Sequence, residues 1–554
     1  MSDFEVGYRL HDSIRADRWC VTLADLLDLR QRVRKAISNG VIRSQSQVRF
    51  CRVRSENTLI GPDIYALNEE FIKPVTAAAG GMSFALMLHP EGLPCDVFVT
   101  HAWQEGIFEF ISKVTYSWPG RAKHAWCCML ANPQNLNISS LINAPSLSPF
   151  AVALRAAPVM LVVPNSKSSV YTRLWCVFEA FLAYEHDKTI VMARPSCLKM
   201  YGSRVAIVLV AEFLGVLSAF ACTELILRMR KPIDLFICFI CCGSAFRSFF
   251  SSTDKSRRTA HIAGGFSAAF IAYESFFNVD WERKDVADRF RILGADPIEA
   301  YWNMTWLIFA SFFILRELDR ITYEVHFAET EALEQDWRGS MCASCSQGID
   351  ELHIRAEIGD RAAAVDETID VLIYTGMSTP RLRRAAKLGV LVRGAAFVEW
   401  TFPVAHVLSL PLAIIRILAM CLPEFRPWPF LLQLFILLLR PLQWSIIIIL
   451  PRDDRAFALK GMTKAGCLFM FVITLIGIAY VFRVIDGRVY IFWFEVSFGV
   501  TTIIWSVVAL SKVDRMARCS LKFTTFLVMR GGREFSKLLK ANGPYLPVEA
   551  ADSS

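Results

Sequence analysis

CDVFVTHAW (Cys95–Trp103) and TRLWCVFEAFLAYE (Thr172–Glu185) are the two stretches whose reading decides the fold. The first holds a β-branched and aromatic run that ends on polar Thr100 and His101, as a buried strand does where it meets a loop. The second, taken with SKSSVY (Ser166–Tyr171) before it, reads as a helix with Ser and Thr near its start. Working outward, GIFEFISKVTYSW (Gly106–Trp118) is amphipathic, with Ile107, Phe108, Ile111 and Val114 on one side. HAWCCMLA (His124–Ala131) reads as a second strand closed by Asn132-Pro133, Leu141–Leu154 as a broken helix, APVMLVVP (Ala157–Pro164) as a third strand and TIVMA (Thr189–Ala193) as a fourth. Strands alternating with helices predict an α/β domain with a parallel sheet covered on both faces.

Upstream, Ala24–Gly40 carries Leu26, Leu27, Val33 and Ile37 at roughly helical spacing and stops at Asn39-Gly40, while VRFCRVR (Val48–Arg54) alternates like a half-exposed strand. The N-terminal MSDFEVGYRLHDSIRADRW is polar and has no apolar h-region, so this domain is expected in the cytosol. The 16 Cys are scattered, several inside apolar runs, which suits reduced thiols better than a disulfide framework.

Downstream, the composition changes. The chain is 54% apolar, its mean hydropathy is +0.38, and the excess lies after Val205. Apolar runs at 205–227, 233–250, 260–278, 300–316, 396–421, 428–450, 464–482 and 489–511 predict an all-α polytopic transmembrane bundle. The net charge of +8 gathers beside these runs, at Lys255/Arg257/Arg258, Arg381–Lys387 and Arg515–Lys522, which fits the cytoplasmic rim of a membrane rather than nucleic acid. Both termini are then cytoplasmic, in the plasma membrane or an endomembrane. The expected order is an extension (1–90), an α/β domain (91–203), a first membrane group (204–316), a polar helical insert (317–394), a second membrane group (395–511) and a basic tail (512–554).

Ligands of parallel sheets bind beyond the C-terminal strand ends. Thr100, His101 and Trp103 follow the first strand, Asn132 and Gln134 the second, and Ser166, Lys167 and Ser168 the third. Glu179 lies in the next helix among Trp175, Phe178 and Leu182, where a carboxylate partly desolvated by aromatic neighbours acts as a base or steadies an oxocarbenium charge. The competing reading makes Glu179 an ordinary helix residue and Trp175 and Phe178 core.

DVFVTHAW together with Trp175-Cys176-Val177-Phe178-Glu179 resembles the TIR (Toll/interleukin receptor) family, over about 100 of the 554 residues. The resemblance implies a flavodoxin-like sheet, homo-oligomerisation through this domain, recruitment of other signalling proteins and, in some members, hydrolysis of NAD at the nicotinamide–ribose bond. The family's catalytic glutamate falls on Glu179, and Asp96, Thr100 and His101 would lie near the nucleotide. Two departures stand out. Asn132-Pro133-Gln134 replaces the family's Pro-Gly loop tip, and about a dozen residues separate the fourth strand from the first apolar run, too few to finish such a domain.

Glu212, Glu224, Glu274, Glu399, His406, Arg416, Arg440 and Glu495 fall within or near apolar runs, where ionisable groups pair, snorkel or line a polar path. Cys342-Ala-Ser-Cys345 with His353 lacks the second half of a zinc pattern, so no metal is expected. No P-loop, dinucleotide fingerprint, kinase signature or nucleophile elbow is present. The sequence thus predicts a multi-pass membrane signalling protein with a TIR-like domain and NAD as its substrate. The alternatives are a channel or transporter regulated by that domain, and a receptor whose spans sense a ligand.

Overall fold

The computed structural model describes residues 4–43, 59–137, 144–165, 167–222, 253–277, 297–345 and 347–387, with scattered positions from 233 to 251 and position 500. The chain divides into two compact units, residues 1–197 with 324–392, and residues 198–323 with 393–554. The helices used below are α1 (Leu23–Ser38), α2 (Ile107–Tyr116), α3 (Pro149–Ala156), α4 (Leu174–Glu185), α5 (Leu198–Ala221), α6 (Asp254–Phe277), α7 (Pro297–Glu334), α8 (Gly348–Ile358) and α9 (Ala362–Thr375).

The first unit is α/β. Its strands are β1 (Val21–Thr22), β2 (Val97–Thr100), β3 (His124–Cys127), β4 (Val159–Val162), β5 (Thr189–Met192) and β6 (Met377–Ser378), ordered β1-β3-β2-β4-β5-β6 across one sheet. The four strands read from sequence are β2 to β5, and they pair in parallel. The sheet as a whole is mixed rather than parallel, because β1 and β6 close its two edges antiparallel. Both are two residues long, and edges that short offer little template for pairing with another chain. β6 takes its direction from Gly376, which adopts φ +80 just past α9 and turns the chain back along β5.

The sheet buries both faces, which explains strands that read as near-continuous apolar runs. Phe98, Trp126, Met160 and Ile190 point to one side and pack with Leu154 of α3 and Leu174, Val177, Phe178 and Phe181 of α4. Val97, Val99, Ala125, Leu161 and Val191 point to the other and meet Leu26, Leu29 and Val33 of α1 and Phe110, Ile111 and Val114 of α2. Helix α1 starts on a capping box in which the Thr22 side chain accepts from the Asp25 amide and Asp25 accepts in return from the Thr22 amide. The second predicted strand stops earlier than expected, since Cys128–Ala131 turns helical.

The segment read as a separate insert supplies core to this unit. Leu333, Ile354, Ile358, Val365, Ile369 and Leu372 are buried in the cluster that contains Tyr171, Leu174 and Phe178. Helix α4 therefore has apolar neighbours on almost every side, sheet beneath and α8 and α9 outside, and its sequence is apolar nearly all round. The sheet left short after β5 is completed from both directions, by β1 from the first ninety residues and by β6 from beyond Glu324.

In the second unit α5, α6 and the first part of α7 pack together. Phe220 lies beside Tyr273, and Gly215 beside Phe266, so α5 and α6 run in one direction. Gly264 meets Phe313 and His261 meets Glu317, so α7 returns in the opposite one. Met200–Ala221 is the one helix among the described residues that is long and apolar enough to cross a membrane. Three predicted spans fall on α5, α6 and α7, the described positions of 233–248 are helical, and the four spans from 396 onward lie, apart from position 500, outside the described residues. So do Val48–Arg54, Glu224, Glu399, His406, Arg416, Arg440, Glu495 and the side chain of Glu274.

Candidate functional site

β2 and β4 are neighbours, but the chain leaves β2 for β3 on the opposite side. The C-terminal ends of two strands at such a reversal are where ligands of open parallel sheets bind. Thr100 ends β2, and its hydroxyl donates to Glu179 Oε2 at 2.7 Å. Glu179 sits on the second turn of α4 and is 5% exposed. The start of α4 is fixed by chain from far away, because the Leu174 amide donates to the Ser344 carbonyl at 2.9 Å and the Ser344 amide to the Thr172 carbonyl at 3.0 Å. Ser169, wholly buried in the approach to α4, donates to the Leu333 carbonyl at 2.5 Å.

Burial pushes the Glu179 carboxyl up to about 7, against the Thr100 hydrogen bond and the positive charge of Arg173. Burial also works against the Arg173 charge, but Cys176, Cys128, Tyr65 and Glu179 hold this guanidinium protonated above its ordinary value. The Arg173 charge thus acts electrostatically on the Glu179 carboxyl. The Trp103 ring lies 5.3 Å from Tyr65, which is half exposed. An aromatic pair, a cation and a carboxylate with its charge in balance near neutrality suit an anionic ligand bearing a flat ring.

His101 and Glu105 lie deeper. His101 Nε2 is 3.0 Å from Cys128 Sγ, and its Nδ1 is 3.0 Å from Glu105 Oε1, yet that second contact is misaligned and leaves both atoms without a hydrogen-bond partner. Burial lowers the His101 imidazole to about 3 and lifts the Glu105 carboxyl well above the usual range, with Glu109 adding to the rise. At pH 7 the His101 imidazole is neutral, and the Glu105 carboxyl is shifted toward its neutral form. The pair therefore acts on stability in opposite directions. Below about 6.5, the ordinary histidine value, the unfolded chain takes up a proton that buried His101 refuses, so stability is lost as pH falls toward the folded value of about 3. Above about 4.3, the ordinary glutamate value, the unfolded chain releases a proton that Glu105 keeps, so stability falls as pH rises toward its raised value. Glu105→Gln is expected to leave stability at pH 7 unchanged or higher and to flatten the decline between pH 5 and pH 7, read from urea midpoints. An equal loss at both pH values would show that Glu105 is folded as the anion.

The residues expected at the site divide. Thr100, His101, Trp103 and Glu179 come together. Asp96 lies at the other end of β2, accepting from the Lys123 and His124 amides at 2.8 and 3.1 Å. Trp175 turns to the side of α3 and α8, stacking 5.2 Å from Phe150 and donating to Asp350 at 3.2 Å. Ser166 is outside the described residues. Gln134 donates to the Asn132 carbonyl within its own turn, and Asn165 accepts from the Lys167 and Ser168 amides. Arg173, Cys128 and Glu105 were not singled out from sequence. Glu105, four residues after His101, and Arg173, between the third strand and the Trp-Cys pair, were visible as charged residues beyond strand ends. Among the described residues no group of His, Cys, Asp and Glu is placed to hold a metal ion. Comparison of the chain with protein-family models, with curated proteins and with solved structures finds no match to any of them.

Proposed function

We propose that the protein is a multi-pass membrane signalling protein whose α/β unit is a flavodoxin-like, TIR-like module, and that this module cleaves NAD at the nicotinamide–ribose bond through Glu179. The order of the parallel strands, second-first-third-fourth in chain sequence, and the Trp-Cys-x-x-Glu segment at the start of α4 support the fold. The observation that carries the activity is the Thr100–Glu179 hydrogen bond at the strand ends, with Arg173 as the nearby cation. In its ionised form Glu179 faces the developing oxocarbenium charge, Arg173 attracts the diphosphate, and Trp103 with Tyr65 offers stacking surface. Signalling by self-association draws on the exposed side chains of Leu147, Met341, Ile349 and Leu352. The apolar outward face of α5, with Leu209, Val210, Phe213 and Phe220 exposed, supports a membrane span.

The test uses the full chain in lipid nanodiscs with NAD, following free nicotinamide. Glu179→Gln is expected to lower turnover by at least about a hundred-fold, the scale of losing an acid–base group. Turnover in the parent protein rises with pH around the Glu179 value of about 7. Thr100→Val shifts that rise to higher pH, because it removes a bond that favours the ionised form. No turnover, or equal turnover in Glu179→Gln, overturns the enzymatic part and leaves association to be measured separately by sedimentation.

A second reading, a channel or transporter regulated by the α/β unit, draws on the polar network buried in the second unit. There Glu317 accepts from His261 at 2.7 Å and from Arg320 at 2.7 and 2.9 Å, and Ser248 lies 2.7 Å from the other ring nitrogen of His261.

A further inference from the structure

We infer that Glu212 is a proton-binding carboxyl inside the bilayer, set in the seam between α5 and α6; the inference rests on α5 being a membrane span. Glu212 lies near the middle of the apolar stretch Met200–Ala221. Its Oε1 is buried and has no hydrogen-bond partner. The seam is close because glycines line it. A Cβ on Gly265 would come within 3.2 Å of Glu212 Cγ and Oε1 and of Val208 Cγ1, and one on Gly215 would overlap the Phe266 carbonyl. On either side of Glu212 the helix shows apolar residues outward, Leu209, Phe213 and Leu214, all exposed. Small residues that let two helices approach this closely are the usual basis of packing in lipid, but here they leave one polar oxygen against bare helix backbone.

The charged groups of the packed helices are committed elsewhere. His261, one turn before Gly265 on α6, is bonded to Ser248 and Glu317. On α7, Arg320 pairs with Glu317 and Asp254, and Arg316 lies 3.6 Å from Asp319. No basic side chain among the described residues is paired with Glu212. An ionised carboxylate without a counter-charge is costly in hydrocarbon, and such a group takes up a proton instead. The ligand is thus a proton, gained and lost at one carboxyl at mid-span.

The experiment treats the full chain in phosphatidylcholine nanodiscs with dicyclohexylcarbodiimide, which enters lipid and reacts with protonated carboxyls, and maps the adduct by peptide mass spectrometry. The expected adduct is on Glu212. Its rate falls roughly ten-fold per pH unit above the midpoint, as for a single titrating group, and it is absent in Glu212→Gln. A folded chain without that adduct, or with labelling independent of pH, overturns the inference. Photolabelling of Phe213 and Leu214 with a lipid-soluble diazirine tests the span by itself. Photolabelling without the carbodiimide adduct defeats only the proton site. Absence of photolabel, with Glu212 modified equally by a water-soluble carbodiimide, overturns the span and the site together.

Discussion

A chain cut after Cys197 is expected to lose the cooperative unfolding of the α/β unit, although every strand read from its sequence is still present. The lost segment contributes Leu333, Ile354, Ile358, Val365, Ile369 and Leu372, each 4% exposed or less, to one face of the core. Burying a side chain of this size stabilises by roughly 1.5–3 kcal/mol, so together they supply on the order of 10 kcal/mol or more, as an upper estimate. A domain's whole net stability is about 5–15 kcal/mol. The cut also strips the outer edge of β5, which pairs with β6 through Ile190–Ser378 and Val191–Met377, and exposes Phe178 and Phe181 of α4. The fragment should bind a hydrophobic dye and melt without a sharp transition. A fragment that unfolds cooperatively, with the same midpoint as this unit in the full chain, would contradict the account. The consequence for the enzymatic test is direct, since the N-terminal fragment alone lacks the Ser344 contact that holds the start of α4.

The second large effect is expected at Lys113. This lysine, 4% exposed in α2, places all three of its ammonium protons, on Glu109 at 2.8 Å, on Glu329 at 2.6 Å and on the Pro164 carbonyl at 2.8 Å. It ties α2 and the loop after β4 to the last turns of α7. Burial works against the ammonium, but Glu329 and Glu109 outweigh it and hold the charge above the ordinary lysine value. Burial raises Glu329 in turn, and the ion pair opposes that rise. Lys113→Met leaves two partly buried carboxylates and a carbonyl without their cation, beside an open pocket that Glu109, Lys113 and Glu329 line, and should destabilise by about 1–3 kcal/mol. Adding Glu329→Gln should recover part of the loss, because one stranded charge is gone. The lysine contribution is present below about 10.4, the unfolded value, and disappears as pH rises through its raised folded value. Thermal melting of the two single variants and the double variant at pH 7 gives the coupling. A loss under about 1 kcal/mol, the scale of an exposed pair, or strictly additive effects, would contradict the coupling.

Much of the fold was legible because the signals were local. β2, β4 and β5 are short β-branched runs between turn residues, and α1 ends on Asn39 and Gly40, the latter at φ +68. The edges were not legible. Val21–Thr22 and Met377–Ser378 are two residues long, and a pair of residues carries no periodicity. Nor does the polar sequence of 317–394 as a whole announce a core role, since α8 buries only Ile354 and Ile358 among charged neighbours, although α9 buries Val365, Ile369, Val371, Leu372 and Ile373. At the site, Thr100 and Glu179 were found because one ends a strand and the other follows Trp175-Cys176. Asp96 was assigned to the nucleotide by resemblance alone, and a residue that opens β2 cannot reach the end where β2 finishes. Arg173 escaped notice because its importance comes from its electrostatic coupling to Glu179, and that proximity is a property of the fold.

The split composition of the α/β unit also sets a schedule. β5 leaves the ribosome with its partner β6 still unmade, and residues 198–323 must be synthesised in between. At roughly 5–20 residues per second, the nascent sheet waits on the order of ten seconds or more with one face of α4 uncovered. During that wait the first apolar helices emerge and must be inserted or shielded. Completion of the candidate site is therefore downstream of the fate of α5 to α7, and a chain stalled or clipped in that interval carries Glu179 but has no seated helix to hold it.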